Sequence, residues 1–225
     1  MTNAAPTNQP PDLPVLYSFR LCPYAMRARL AIAQAGIQVE LREVFLGDKP
    51  EAMLAVSPKG SVPVLVLPDH QVIDESYDVL LWALEKHDPD GWLDVDRDEL
   101  NALFERTDFD FKKNLHGYKH PEWYPGKTAD EYRSAALSYL SDLDQRLQVN
   151  RFIFGPKVTA ADPLVLPFVR QFSDVDAEWF ANSPYDSLRR WLNEWLKSEL
   201  FSTIMPKFDR WKDGDAPVIF PAGGE

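Results

Sequence analysis

The chain offers one sulfur nucleophile. Cys22 is its sole cysteine, and Pro23 follows at once, a residue whose missing N–H and fixed φ suit the first position of a helix. Ahead of it, Val15-Leu-Tyr-Ser-Phe19 has the composition of a short strand. Cys22 is therefore expected at a helix N-cap, where free amide donors and the positive end of the helix dipole favour a thiolate. Arg20 and Arg27 are expected to add positive potential. The thiolate is the nucleophilic form of the side chain. A lone cysteine is more often inert packing, but the strand–Cys–Pro–helix context tips the reading toward a reactive thiol. With no second cysteine, any disulfide it forms must be resolved by a thiol from outside.

Two further signals surround it. Val62-Pro63 opens an apolar run, although a proline cannot donate to a strand ladder. A cis bond there would present the Val62 backbone beside the thiol, and a trans proline on an edge strand is the equally open alternative. Glu75-Ser76 opens a helix, where the hydroxyl and free amides either cap it or hold a ligand carboxylate, with Glu75 available for an ammonium group. Taken alone, capping is the simpler reading. Phe104, Phe109, Phe111, Tyr118, Trp123 and Tyr124 make an aromatic stretch that reads as helical core, with a few members expected to face a substrate pocket. Of His70, His87, His116 and His120 only the last two stand at i, i+4, and with Pro121 ending the helix and no third ligand beside them no metal is expected.

The elements that must position these residues fall into two halves. Residues 14–87 alternate as βαβαββα, which predicts an α/β layer with a mixed four-stranded sheet. Gly36 is the stop signal of the first helix. Residues 88–95, rich in turn formers, read as a linker. Residues 96–225 carry helical spacing only, over Asp96 to Tyr118, Thr128 to Gln148, Thr159 to Phe172 and Pro184 to Lys197, so an all-α second domain is expected. Thr159-Ala-Ala-Asp162 has the form of a capping box, and Pro167 should kink the helix that follows. Residues 1–13 read as a flexible lead-in, not a signal peptide.

Charge narrows the partners. The net charge is −11 over 225 residues, yet the chain up to Pro68 carries +1 and the remainder −12. An acidic protein repels nucleic acid and anionic membranes, so neither is an expected partner. No apolar stretch approaches the roughly 20 residues of a membrane span. The cytoplasm is the expected compartment.

Taken together, Leu21-Cys-Pro-Tyr-Ala-Met-Arg-Ala-Arg29, Lys49-Pro-Glu51, Ser57-Pro-Lys-Gly-Ser-Val-Pro-Val-Leu65 and Asp74-Glu-Ser76 resemble the glutathione transferase superfamily, in its cysteine-bearing branch closest to the omega class. The resemblance implies a thioredoxin-like first domain, a cis Pro63, and glutathione as co-substrate lying across the strand edge. It implies that Lys49 holds the glycyl carboxylate, Val62 the cysteinyl backbone, and Glu75 with Ser76 the γ-glutamyl end, with Cys22 meeting the sulfur. It also implies a homodimer. Tyr17, Ser18 and Tyr24 are rivals to Cys22, because other branches activate glutathione with a hydroxyl near the first strand.

The expected activity is glutathione-dependent thiol transfer or reduction of a small disulfide or electrophile, through a mixed disulfide of Cys22 with glutathione. The alternatives are conjugation of glutathione to electrophiles, with Cys22 secondary, and a non-enzymatic member that binds ligands or a protein.

Overall fold

The computed structural model describes residues 13–222, so the expected lead-in lies outside the described residues except for Leu13. β1 (Val15–Ser18) runs parallel to β2 (Val39–Glu43), and the crossover such a pair requires is α1 (Pro23–Gln34). Gly36, with φ at +64°, turns the chain out of α1 in a conformation that glycine adopts freely. After α2 (Glu51–Val56) come β3 (Val64–Val66) and β4 (Val72–Ile73), antiparallel with Leu65 opposite Ile73, and then α3 (Ser76–Lys86). β3 also pairs antiparallel with β1. This is the thioredoxin-like arrangement, and its mixed sheet agrees with the sequence.

The strand count differs. A fifth strand, β5 (Ile219–Phe220), pairs antiparallel with β2, giving the order β4–β3–β1–β2–β5. The second half of the chain is therefore helical except for this return to the sheet. Two residues give too little alternation to register as a strand in sequence. Partner contacts supply the rest: Phe220 is buried, Leu41 N donates to Val218 O at 2.7 Å, and Trp211 N donates to Glu43 O at 2.8 Å.

Period-two alternation sorts the sheet's side chains onto two cores. Leu16, Val39, Leu41 and Leu65 face α1 and α3, and that core continues without a break into the helical half. Tyr17, Val62 and Val64 face the opposite side, with Met53 of α2 and Trp211.

The helical half comprises α4 (Arg97–Glu105), α5 (Lys112–Lys119), α6 (Ala129–Val149), α7 (Ala161–Ser173), α8 (Ala177–Ala181), α9 (Asp186–Leu196) and α10 (Glu199–Ile204). The single helix expected over 96–118 is interrupted: Arg106–Phe111 forms a π-helical turn between α4 and α5. The Lys112 amide accordingly bonds to Thr107 O, five residues back. The full capping box is at Thr128 and Glu131, ahead of α6. At Thr159–Asp162 only half of the expected box forms, because Asp162 N donates to Thr159 O and not to the hydroxyl. The Asp162 carboxylate, fully buried, instead accepts from Thr159 N at 2.9 Å, Ile153 N at 3.2 Å and Trp191 Nε1 at 2.8 Å. It joins α7 to α9, and burial pushes its pKa up to about 6. Among the described residues no helix is long and apolar enough to cross a membrane.

Candidate active site

Cys22 occupies the N-cap of α1, with extended backbone and Pro23 behind it. Its side chain is half-buried, and its Sγ–H donates to Val62 O at 3.7 Å. The Val62–Pro63 bond is cis, which resolves the alternative left open by the sequence. Burial pushes the thiol above its ordinary range. The amides of Ala25 and Tyr24 pull it back, as do Arg29 and then Arg27. This corrects the expectation that the helix end would dominate: the dipole and amides act in the expected sense, but desolvation outweighs them. Arg29, not Arg20, is the stronger cationic influence. Its buried guanidinium donates to Arg20 O at 2.7 Å and Ile204 O at 3.1 Å, and also to Ser18 Oγ. Burial lowers its pKa to about 10.

Beside the thiol runs a groove of about 670 Å³. Val62, Pro63, Glu75 and Ser76 all line it. Cys22 touches this wall through Val62. Lys49 does not line it: a Cβ built on Gly60 would stand 3.3 Å from Lys49 Nζ, so that lysine lies against the Gly60 backbone. Two cations line the groove, Lys59 and Lys112, neither of them singled out from the sequence. For Lys59, Nζ is 2.6 Å from Glu75 Oε1 and 2.9 Å from Asp74 O.

Ser76 does not cap α3, which has no side-chain cap. Its hydroxyl accepts from Arg27 Nη1 at 3.0 Å. Arg27 is fully buried, and the rest of its fork is also satisfied. It meets Asp108 at 2.6 and 3.0 Å through both Nη atoms, and Leu164 O at 2.9 and 3.2 Å. A desolvated guanidinium is tolerated only with such complete pairing. The π-helical turn carries Asp108, so it is this turn that delivers the carboxylate to Arg27 and to the groove. Arg27 thereby ties α1, α3, the π turn and α7 together at the groove's floor.

The rival hydroxyls are otherwise engaged. Tyr17 faces the opposite core and accepts from Arg42 Nη1 at 2.8 Å. Ser18 serves Arg29. Tyr24 lines the groove, but burial, reinforced by Asp108, pushes its hydroxyl well above the ordinary tyrosine range. Of the aromatic stretch, Phe104 and Phe109 line the groove, while Phe111 and Tyr118 are core and Trp123 stacks on His120 at the surface. No cluster of metal-ligating residues occurs among the described residues.

A thioredoxin-like sheet domain joined to a helical domain is the architecture of the glutathione transferase fold. Family models agree along the chain. The model for the glutathione S-transferase N-terminal domain matches residues 16–91, and that for the C-terminal domain matches residues 122–194. The chain belongs to the glutathione transferase superfamily, with an omega-like resemblance. It is 30% identical over 149 residues to a probable glutathione S-transferase DHAR2, chloroplastic, of Oryza sativa subsp. japonica, which covers 65% of this chain and 50% of that protein. It is 38% identical over 74 residues to glutathione S-transferase omega-1 of Sus scrofa, covering 33% of this chain and 31% of that protein. The chain thus spans half or less of the length of these two relatives. Among solved structures, a glutathione transferase family member from Pseudomonas fluorescens pf-5, with two glutathione bound, shares the fold. Its TM-score is 0.73 at 18% identity, over 88% of this chain and 95% of that one.

Proposed function

We propose that this chain is a glutathione-dependent thiol transferase or reductase working through a mixed disulfide between Cys22 and glutathione. The observation that carries the reading is the position of its one thiol, at the start of α1 and 3.7 Å from the Val62 carbonyl that precedes a cis-proline on the groove wall. Glutathione is the co-substrate, its cysteinyl backbone paired with Val62 beside Pro63 and its γ-glutamyl end on Glu75 and Ser76. Lys49, which lies against the Gly60 backbone off the groove lining, is assigned the glycyl carboxylate only as far as the resemblance carries it, and it must swing away from Gly60 to make that contact. The Pseudomonas fluorescens relative, solved with two glutathione bound, supports a tripeptide ligand. Cys22 attacks a glutathionyl sulfur through its thiolate fraction. That fraction is small when burial raises the pKa, but the same rise makes each thiolate more nucleophilic.

Reduction of hydroxyethyl disulfide by glutathione tests this, together with the mass of the protein after exposure to glutathione disulfide. Wild type is expected to turn over and to gain one glutathionyl group on Cys22, and Cys22→Ala to do neither. A Cys22→Ala protein that keeps the full rate sinks the mechanism.

Conjugation is the second reading, favoured by the raised thiol: a protonated Cys22 can donate a hydrogen bond to a bound glutathione thiolate. Turnover of chlorodinitrobenzene that survives Cys22→Ser would select it. We propose a cytoplasmic, homodimeric protein under either reading, the reducing compartment following from the free thiol it needs. Light scattering on the eluted protein checks the dimer, and fractionation of cells producing it checks the compartment.

A further inference from the structure

The groove's charges do not cancel evenly. Arg27 is committed to Asp108, and Lys59 to Asp74 and Glu75. Asp78, on the same helix as Ser76, adds further negative charge beside Asp74 and Glu75. Lys112, half-buried in the same lining, has no carboxylate within ion-pair distance among the described residues. Its Nζ lies 5.2 Å from the centre of the Tyr24 ring, and the Tyr24 amide faces the Cys22 sulfur. An unpaired ammonium is thus linked to the thiol through one tyrosine.

Around that ammonium the groove is aromatic. Phe104 stacks on Tyr77 at 4.3 Å, and Phe109 meets Phe104 edge-on at 6.1 Å. Phe109 is 61% exposed, an apolar ring left uncovered inside a groove where its neighbours are packed. A planar ring laid against Phe109 and Phe104 would cover it in the arrangement aromatic pairs prefer. An anionic substituent on that ring would meet the Lys112 ammonium.

We propose that the preferred substrates are glutathionyl mixed disulfides of aromatic thiols bearing an anionic group, with the ring on Phe109 and Phe104 and the anion on Lys112. This rests on the glutathione reading above and specifies its second substrate. The Cys22 thiolate attacks the glutathionyl sulfur and the disulfide bond breaks. Its electron pair leaves with the aromatic thiolate, and Cys22 is joined to glutathione. A second glutathione thiolate attacks the glutathione sulfur of that adduct, releasing glutathione disulfide and restoring the Cys22 thiolate. Lys112 stabilises the ring's anionic group throughout, and thereby selects substrates by charge.

The experiment compares two glutathione mixed disulfides, one with 5-thio-2-nitrobenzoate and one with uncharged 2-thiopyridine, on the full chain. Both release a chromophoric thiol. The quantity read is kcat/KM for the anionic substrate divided by that for the neutral one. Comparing this ratio between variants removes the intrinsic reactivity of each disulfide. Lys112→Met is expected to lower the ratio by about five-fold or more, the effect of one partly desolvated charge pair, and Lys112→Arg to restore it. Phe109→Ala is expected to lower kcat/KM for both aromatic substrates relative to hydroxyethyl disulfide. An unchanged ratio in Lys112→Met, with both substrates turned over and the variant's melting temperature intact, overturns the proposal and leaves the glutathione reading standing. Turnover of no disulfide by wild type overturns both.

Discussion

The ammonium of Lys59 stands 2.6 Å from Glu75 Oε1, so the carboxylate assigned to a ligand's ammonium group already holds one supplied by the chain itself. Both side chains are well exposed, and such a pair contributes only about 0–1 kcal/mol. A ligand that brings its own ammonium competes with Lys59 for that carboxylate. Lys59→Met is therefore expected to bind glutathione up to about five-fold more tightly, with folding stability changed by less than about 1 kcal/mol. Calorimetric titration of both proteins checks this. Weaker binding by the variant would instead make Lys59 a ligand contact.

Removing Arg27 should cost far more. Its buried guanidinium satisfies Asp108, Ser76 and Leu164 O at once. Arg27→Met strands those partners, and about 3–5 kcal/mol of unfolding free energy is expected to go. Arg27→Lys should recover little of it, because an ammonium cannot reproduce the fork. Urea denaturation measures the loss, and a cost below about 1 kcal/mol would show that the network holds nothing together.

Asp162 gives a pH signature. With its folded pKa raised to about 6 from an ordinary 3.8, the folded chain keeps a proton that the unfolded chain has released between those values. Folding stability from this group is therefore greatest below that window and falls as pH rises through it, by about 3 kcal/mol in total. Asp162→Asn cannot titrate there. The wild-type stability minus that of the variant is expected to shrink between pH 4 and pH 6.5, and a flat difference in parallel urea melts would contradict the assignment.

Cys22 should react late in an alkylation series. Because burial raises its pKa, the iodoacetamide rate of the ligand-free protein is expected to keep climbing with pH beyond the range of an ordinary thiol. Arg29→Met removes a lowering influence, and in a folded variant it should move the profile to still higher pH. A rate already at its plateau at neutral pH would mean that the helix end prevails over desolvation after all.

Much of this site was legible as local grammar. Pro23 after Cys22 marked the start of α1 and Gly36 its end, and Val62, Pro63, Glu75 and Ser76 line one groove. What sequence could not supply was the outcome of long-range packing. A helix start says which way its dipole points but not how much water its cap loses, so the direction of the Cys22 shift was out of reach. Arg27 read as a local charge near the thiol, because its partner Asp108 is 81 residues away.

The π turn was hidden for a different reason. A single π turn shifts the phase of the apolar face by one residue and demands no particular residue type, so the spacing over 96–118 carries no mark of Arg106–Phe111. Lys59 finds its partners only in the fold, where Asp74 and Glu75, between β4 and α3, come within reach of it. Lys49, the residue that resemblance selected, lies against Gly60 off the groove lining.

The pairing of Phe220 with Val39 has a consequence for handling the protein. β5 occupies the hydrogen-bonding flank of β2 that would otherwise be bare, a ready template for another chain. A version cut after Pro206 would lose both that guard strand and the Trp211 clasp on Glu43. It should scatter light and precipitate at concentrations where the full chain stays clear.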